Sequence, residues 1–382
     1  MVILMPTFSI EELKRIIRKM EFNKTEPELL TELVYKAMKA GEGEKERLRS
    51  INKKSYELFK VLKDRSILHC IKGDEKEVEK LKKSSVGAID GSFQVVGGVG
   101  GRWFVLFGVA QVIAEKGFTL QPAVIVEGGI EQLDSVDESG INRLAEIIMM
   151  LGEIKALRRI TDKLGGKNES YVLIDGPVID PPVYCDDEYV EKRVNALHLC
   201  YERNINVVGF VKRIMGRNFL NYLSKKVESE DFINFTNDLD LLSSVMFNAV
   251  KSEGHPIYTH PINYEEGCKA GDGVTLTYDT YKNKGLNVYY SYYKPLLRGR
   301  IFRVEYASFK PLEDQELLEK FSKIMSLINC VWTLPGMDEP LPIMIAHNKC
   351  NVRRGAAETI YYEIMTKALS EGNIHLWLES LS

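Results

Sequence analysis

Apolar and polar positions recur with two different periods along this chain, and the changes of period divide it. From about residue 9 to 84 the period is helical. Ser9 with Glu11 and Glu12 marks a helix start, and Leu13, Ile16, Ile17 and Met20 share one face. The spacing continues through Leu29, Leu33 and Ala37 and again through Leu58, Leu62 and Ile67, while 72–83, dense in Lys and Glu, fits a solvated helix face. From 86 to 128 short apolar runs bounded by glycines predict an antiparallel meander, with strands over 86–90, 93–96, 103–113 and 119–126. A helix over 141–164, a strand ending at Asp175, a helix over 187–204, a strand over 207–211 and a mostly helical stretch over 220–250 come next. The pattern predicts a tyrosine-rich strand pair over 275–281 and 287–293, then a strand over 301–306 and a helix over 315–327. A strand over 343–345 and a helix over 356–369 close it. The expected organisation is a helical extension over 1–84 and an α/β domain over 85–382, with an insertion around 217–285.

Two of the predicted strands end alike. Val86-Gly87-Ala88-Ile89 runs into Asp90-Gly91-Ser92, and Tyr171-Val172-Leu173-Ile174 runs into Asp175-Gly176-Pro177. A carboxylate at a strand end, beside a residue that lets backbone approach closely, suits a divalent cation. The glycine cluster Gly97-Gly98-Val99-Gly100-Gly101 lies between two strands and lacks a following Lys-Ser/Thr, so it predicts a turn and not a phosphate loop.

The helix between the two aspartates adds a third carboxylate. At about 100° per residue, Glu146, Met150, Glu153 and Leu157 fall on one stripe, with Lys155 and Arg159 on the far side. A glutamate on an apolar stripe is costly to bury unless it is paired, hydrogen-bonded or bound to metal. The order strand-Asp, meander, helix-Glu, strand-Asp is that of an RNase H-like core, so the expected fold is an RNase H-like mixed sheet flanked by helices. Hydrolysis of a phosphodiester needs a water made nucleophilic near neutral pH and a stabilised leaving oxyanion, which a pair of ions supplies. Hard oxygen ligands suit Mg²⁺ or Mn²⁺. His347, at the end of the apolar run Ile343-Met344-Ile345-Ala346, is a candidate ligand or proton donor; His69, His198, His255, His260 and His375 have no such setting.

Composition narrows the classes. The 382 residues are 45% hydrophobic and 27% charged with net charge -3, so no global basic field marks a nucleic-acid binder and any such surface is local. No apolar run reaches the 18–20 or so residues of a membrane helix, and the opening Met1-Val2-Ile3-Leu4-Met5 is too short for one. Six scattered cysteines, with no C-x-x-C pair, are expected to be reduced thiols in a cytoplasm.

Taken together, Ala88-Ile89-Asp90-Gly91-Ser92, Leu173-Ile174-Asp175-Gly176, Val208-Gly209-Phe210-Val211-Lys212-Arg213, Phe302-Arg303-Val304-Glu305 and Pro342-Ile343-Met344-Ile345-Ala346-His347 resemble the NurA nuclease family over roughly residues 85–370. The resemblance implies a homodimeric, Mn²⁺-dependent 5′-to-3′ exonuclease and single-strand endonuclease. It also implies work with the hexameric HerA translocase in resecting DNA double-strand breaks. On it Asp90, Asp175 and His347 match family site residues, and Glu153 fits the helix position better than Glu146, with the choice left open. A further catalytic tyrosine of the family has no assigned place among 18 tyrosines. Lys212 and Arg213 can hold a phosphate near the metals or form an exposed basic pair; Arg303 can hold DNA or pair with Glu305. Two other classes stay open. One is an actin-like ATP-dependent phosphotransferase, against which Pro177 removes a backbone donor; the other is a non-catalytic partner of DNA or a translocase.

Overall fold

The computed structural model describes residues 26–98, 102–118, 121–134, 138–166, 169–179, 186–227, 235–268 and 273–369. The predicted helix from Ser9, the loop over 99–101, Cys185 and His375 lie outside them. The backbone clusters into two units, Met1–Leu58 and Phe59–Ser382. Helix α1 (Pro27–Asp64) begins in the first. There it carries i,i+3 and i,i+4 ion pairs, Glu32–Lys36, Glu42–Lys45 and Glu44–Arg47, which is how a strongly charged helix stays helical in water.

The second unit is built on one mixed sheet. In chain order its elements are β1 (Leu68–Cys70), α2 (Glu75–Leu81), β2 (Ser85–Gly97), β3 (Arg102–Ala114), β4 (Ala123–Asp134), α3 (Glu138–Leu164), β5 (Ser170–Ile174), α4 (Asp187–Glu202) and β6 (Ile205–Val211). Then come α5 (Asn218–Lys226), α6 (Asp238–Glu253), β7 (Ile257–Thr259), β8 (Ile262–Asn263), α7 (Tyr264–Gly267), α8 (Gly273–Lys282), β9 (Asn287–Lys294) and β10 (Phe302–Ser308). Helix α9 (Asp314–Ser326) runs into a π-helical turn (Leu327–Trp332), and α10 (Leu341–Cys350) and α11 (Arg354–Leu369) follow. The strand order is β1-β7-β9-β10-β6-β5-β2-β3-β4, with β8 on β9. β5 pairs parallel with β2 and β6; the other pairings are antiparallel.

Alternation along the strands separates two layers. Val86 and Ala88 of β2 join Val208, Phe210 and Val304 in a core closed by Phe321, Ile324, Trp332, Ile343 and Cys350 of the α9–α10 layer. Gly87 and Gly91 face the other way, onto Ile160, Met149 and Glu153 of α3. The result is the RNase H-like mixed sheet flanked by helices that the element order predicts. No helix among the described residues is long and apolar enough to cross a membrane.

Several elements differ from the sequence expectation. β2 does not end at Asp90: β3 pairs with it through Gly97, and only its β5 pairing stops, at Ile89 opposite Ile174. The last strand of the meander runs over Ala123–Asp134, further along than 119–126. The stretch 275–281 lies in helix α8, where Thr277, Tyr278 and Tyr281 are buried at helical spacing. The stretch 343–345 also lies in a helix, α10: Pro342 occupies its first turn, where a missing N–H costs nothing, and Ile343, Ala346 and Cys350 form the buried face. A short strand, β1, also interrupts the stretch read as helical and pairs with β7.

Candidate metal centre

Two adjacent parallel strands bring the aspartates together. With Ile89 opposite Ile174, Asp90 and Asp175 are the next residues on neighbouring chains, and the Asp175 N–H donates to the Ile89 carbonyl at 3.0 Å. Asp90, on the face of Ala88, points to the α10 layer. There His347 Nδ1 lies 2.7 Å from Asp90 Oδ2 and 3.5 Å from Asp175 Oδ2. One ligand atom from each of the three residues fits within 4.8 Å of the others, a grouping that can hold a metal ion. Two carboxylates and one imidazole make a donor set that accommodates Mn²⁺ readily, and Mg²⁺ with water filling the remaining positions.

Secondary contacts fix these side chains. Ser92 Oγ donates to the Cys350 carbonyl at 2.6 Å and accepts from Val352 N–H at 2.8 Å, clamping the end of α10 onto β2 and so placing His347. The Cys350 thiol donates to Asp90 Oδ2 at 3.3 Å; burial first, then the Asp90 charge, pushes it up, so it stays protonated. The turn after Asp175 is held from both sides. Val178 N–H donates to Glu305 Oε2 at 2.7 Å, and the buried Arg193 donates to the carbonyls of Pro177 and Val178.

Electrostatically the cluster is short of positive charge. Burial first, and the neighbouring Asp90 second, push the Asp175 carboxyl up to about 6, against the pull of Lys212. Lys212 Nζ bridges Asp175 Oδ2 at 2.7 Å and Glu339 Oε2 at 3.0 Å, and these partners outweigh burial and hold its pKa above the ordinary lysine value. Crowded, half-compensated carboxylates of this kind are the usual setting of a cation site.

Other candidates fall into different roles. Glu153 is buried on α3, with Oε1 so close to Gly91 that a Cβ there would sit 2.9 Å from it; it packs against the Gly91 face of β2 and stands outside the three-residue group. Glu146 is half-buried about two turns earlier. Arg213 is exposed and lines, with Lys212, a cleft of about 660 Å³ that contains Asp90, Asp175 and His347. Arg303 also reaches this cleft, but its guanidinium pairs with the fully buried Glu305 at 2.8 Å and lies over the rings of Tyr264 and Tyr290. Tyr289, Tyr290, Tyr292 and Tyr293 are buried. Cys350, Ser92 and Glu339 were missed from sequence, because only the folded chain brings residues so far apart into contact. A larger cavity, about 740 Å³, opens at the other ends of β5 and β6 around Asn206, Tyr306 and Lys320, away from the cluster.

An RNase H-like sheet with an acidic cluster and a histidine beside its parallel strand ends defines the class. A family model described as the NurA domain matches residues 84–351, and the chain belongs to the NurA family. The crystal structure of the NurA nuclease from Sulfolobus solfataricus is similar, at 13% identity and a TM-score of 0.57, over 91% of this chain and 99% of that one, which shows a shared fold. The catalytic domain of human Endonuclease V aligns at 15% identity and a TM-score of 0.36, over 83% of this chain and 97% of that one. Endonuclease V from Bacillus subtilis aligns at 12% and 0.33, over 80% and 92%. No curated protein matches the chain.

Proposed function

We propose that this NurA-family chain is a metal-dependent DNA nuclease that acts in resecting double-strand break ends. The observation that carries the proposal is the convergence of Asp90, Asp175 and His347 on one ion-sized space in the family fold. A divalent ion held there would supply a Lewis acid for the phosphodiester and lower the pKa of a bound water. Hydrolysis adds a water oxygen to phosphorus and breaks one P–O ester bond, the departing oxygen taking up a proton. Asp90 and Asp175 provide the oxygen ligands and His347, whose Nδ1 faces both, the nitrogen ligand. Glu153 would be the further carboxylate available to a second ion. Lys212 and Arg213, at the rim, hold the phosphate backbone, while Arg303 acts through its pair with Glu305.

The finer assignment follows the family: 5′-to-3′ exonuclease and single-strand endonuclease activity with Mn²⁺, as a cytoplasmic homodimer working with a HerA-type hexameric ATPase. Its organisation is an extension over 1–84 and a nuclease domain over 85–382. End-labelled single- and double-stranded DNA, incubated with Mn²⁺, Mg²⁺ or chelator, tests it. Expected are metal-dependent cleavage and a product ladder that reports polarity. Tight DNA or translocase binding with no hydrolysis in any metal would instead identify a non-catalytic partner.

A further inference from the structure

A second cavity, about 560 Å³, shares Lys212 with the metal-site cleft. One wall is α6, which presents Leu239 and Phe247; the other is the segment between β9 and β10, which presents Leu297, Arg298 and Arg300. Phe247 is 40% exposed, Leu239 38% and Leu297 36%. Arg298 is exposed and has no acidic partner among the described residues, whereas Arg300 pairs with Asp338 and Glu339. The segment is built in place: the buried Lys294 donates from Nζ to the Gly299 carbonyl at 2.7 Å.

An aromatic ring and aliphatic side chains beside arginine, in a cavity that shares Lys212 with the candidate metal-site cleft, suit a strand whose bases are unpaired. A duplex offers phosphates to such a groove but keeps its base faces stacked inside, so it gains only from the cations. We infer that this groove is the path of single-stranded DNA beside the cleaved bond, with Phe247 and Leu297 against the bases and Arg298 on a phosphate. The inference rests on the nuclease function proposed above and adds where the single strand lies.

The test is fluorescence anisotropy of a labelled oligothymidylate of about 15 nucleotides, with the full chain in chelator so that nothing is cleaved. Phe247→Ala is expected to weaken single-strand binding roughly five- to a hundredfold and to change binding of a blunt duplex far less. Arg298→Ala is expected to weaken both and to lower the salt slope on the single strand by about 0.7. Arg298→Glu is expected to weaken both further, and unchanged melting temperatures establish that the variants fold. Wild-type affinity in Phe247→Ala and Arg298→Ala overturns the groove while leaving the nuclease assignment standing. Failure of the wild-type chain to bind the oligothymidylate overturns the groove, whereas the nuclease assignment falls only with the absence of metal-dependent cleavage.

Discussion

Two charged clusters line the same cleft and are built oppositely. Around Asp90 and Asp175, two carboxylates and an imidazole crowd together with Lys212 as the nearest fixed cation. Around Glu305, both carboxylate oxygens have donors: Arg303 at 2.8 Å and the Tyr264 hydroxyl at 2.7 Å on one, Val178 N–H at 2.7 Å on the other. Arg303 in turn lies over two tyrosine rings. A saturated ion pair of this kind holds backbone in place, here the turn that follows Asp175. An unsaturated one leaves coordination to be completed by a ligand. The difference separates scaffold from chemistry at two sites that sequence alone presents as similar acid-containing strands.

The largest expected effect breaks the first cluster. Asp90→Ala should lower Mn²⁺-dependent cleavage of single-stranded DNA by a thousandfold or more, about 4 kcal/mol, with the melting temperature of the metal-free protein maintained. Glu305→Ala should act the other way round. Stranding the Arg303 charge in the interior should cost about 3–5 kcal/mol of stability, read from denaturant midpoints, while Glu305→Gln should retain most of it.

A smaller effect comes from Asp175. Its carboxyl titrates near 6 in the folded chain, pushed there by burial and by Asp90, against about 3.9 when unfolded. Between those values the folded state holds a proton that the unfolded state has released. The stability this group contributes is therefore full below about pH 4 and is lost as pH rises through about 6. The metal-free protein should lose melting temperature across that window, and Asp175→Asn should flatten the loss. Cleavage should rise through the same window, since the ligand must be ionised. Smallest is Gly91→Ala: its methyl meets Met149 Cγ at 2.8 Å and Glu153 Oε1 at 2.9 Å, and if Glu153 serves the metal set the shift should lower Mn²⁺ affinity several-fold with little change in fold.

Much of this was legible in the chain. An aspartate followed by glycine after a short apolar run is a local signal, and it located Asp90 and Asp175. The parallel register that makes them neighbours was not local, because β2 continues past Asp90 on its β3 side. His347 was identified on a wrong element: Ile343-Met344-Ile345-Ala346 has strand composition, yet Pro342 in the first turn and the buried Ile343, Ala346 and Cys350 make it a helix. The tyrosines and threonines of α8 misled in the same way, since their composition favours strands and their burial is helical. Cys350, Ser92 and the Lys212–Glu339 pair carry no motif. They matter through contacts such as Ser92 to Cys350, 258 residues apart, that exist only once the sheet and α10 have packed.

The most direct test of the contrast is a calorimetric titration with Mn²⁺ of the wild-type chain, Asp90→Asn and Glu305→Gln. Binding by wild type and Glu305→Gln, and its loss in Asp90→Asn, is the expected result. Wild-type binding by Asp90→Asn, or its loss only in a folded Glu305→Gln, would contradict the assignment of the acidic cluster as the metal centre.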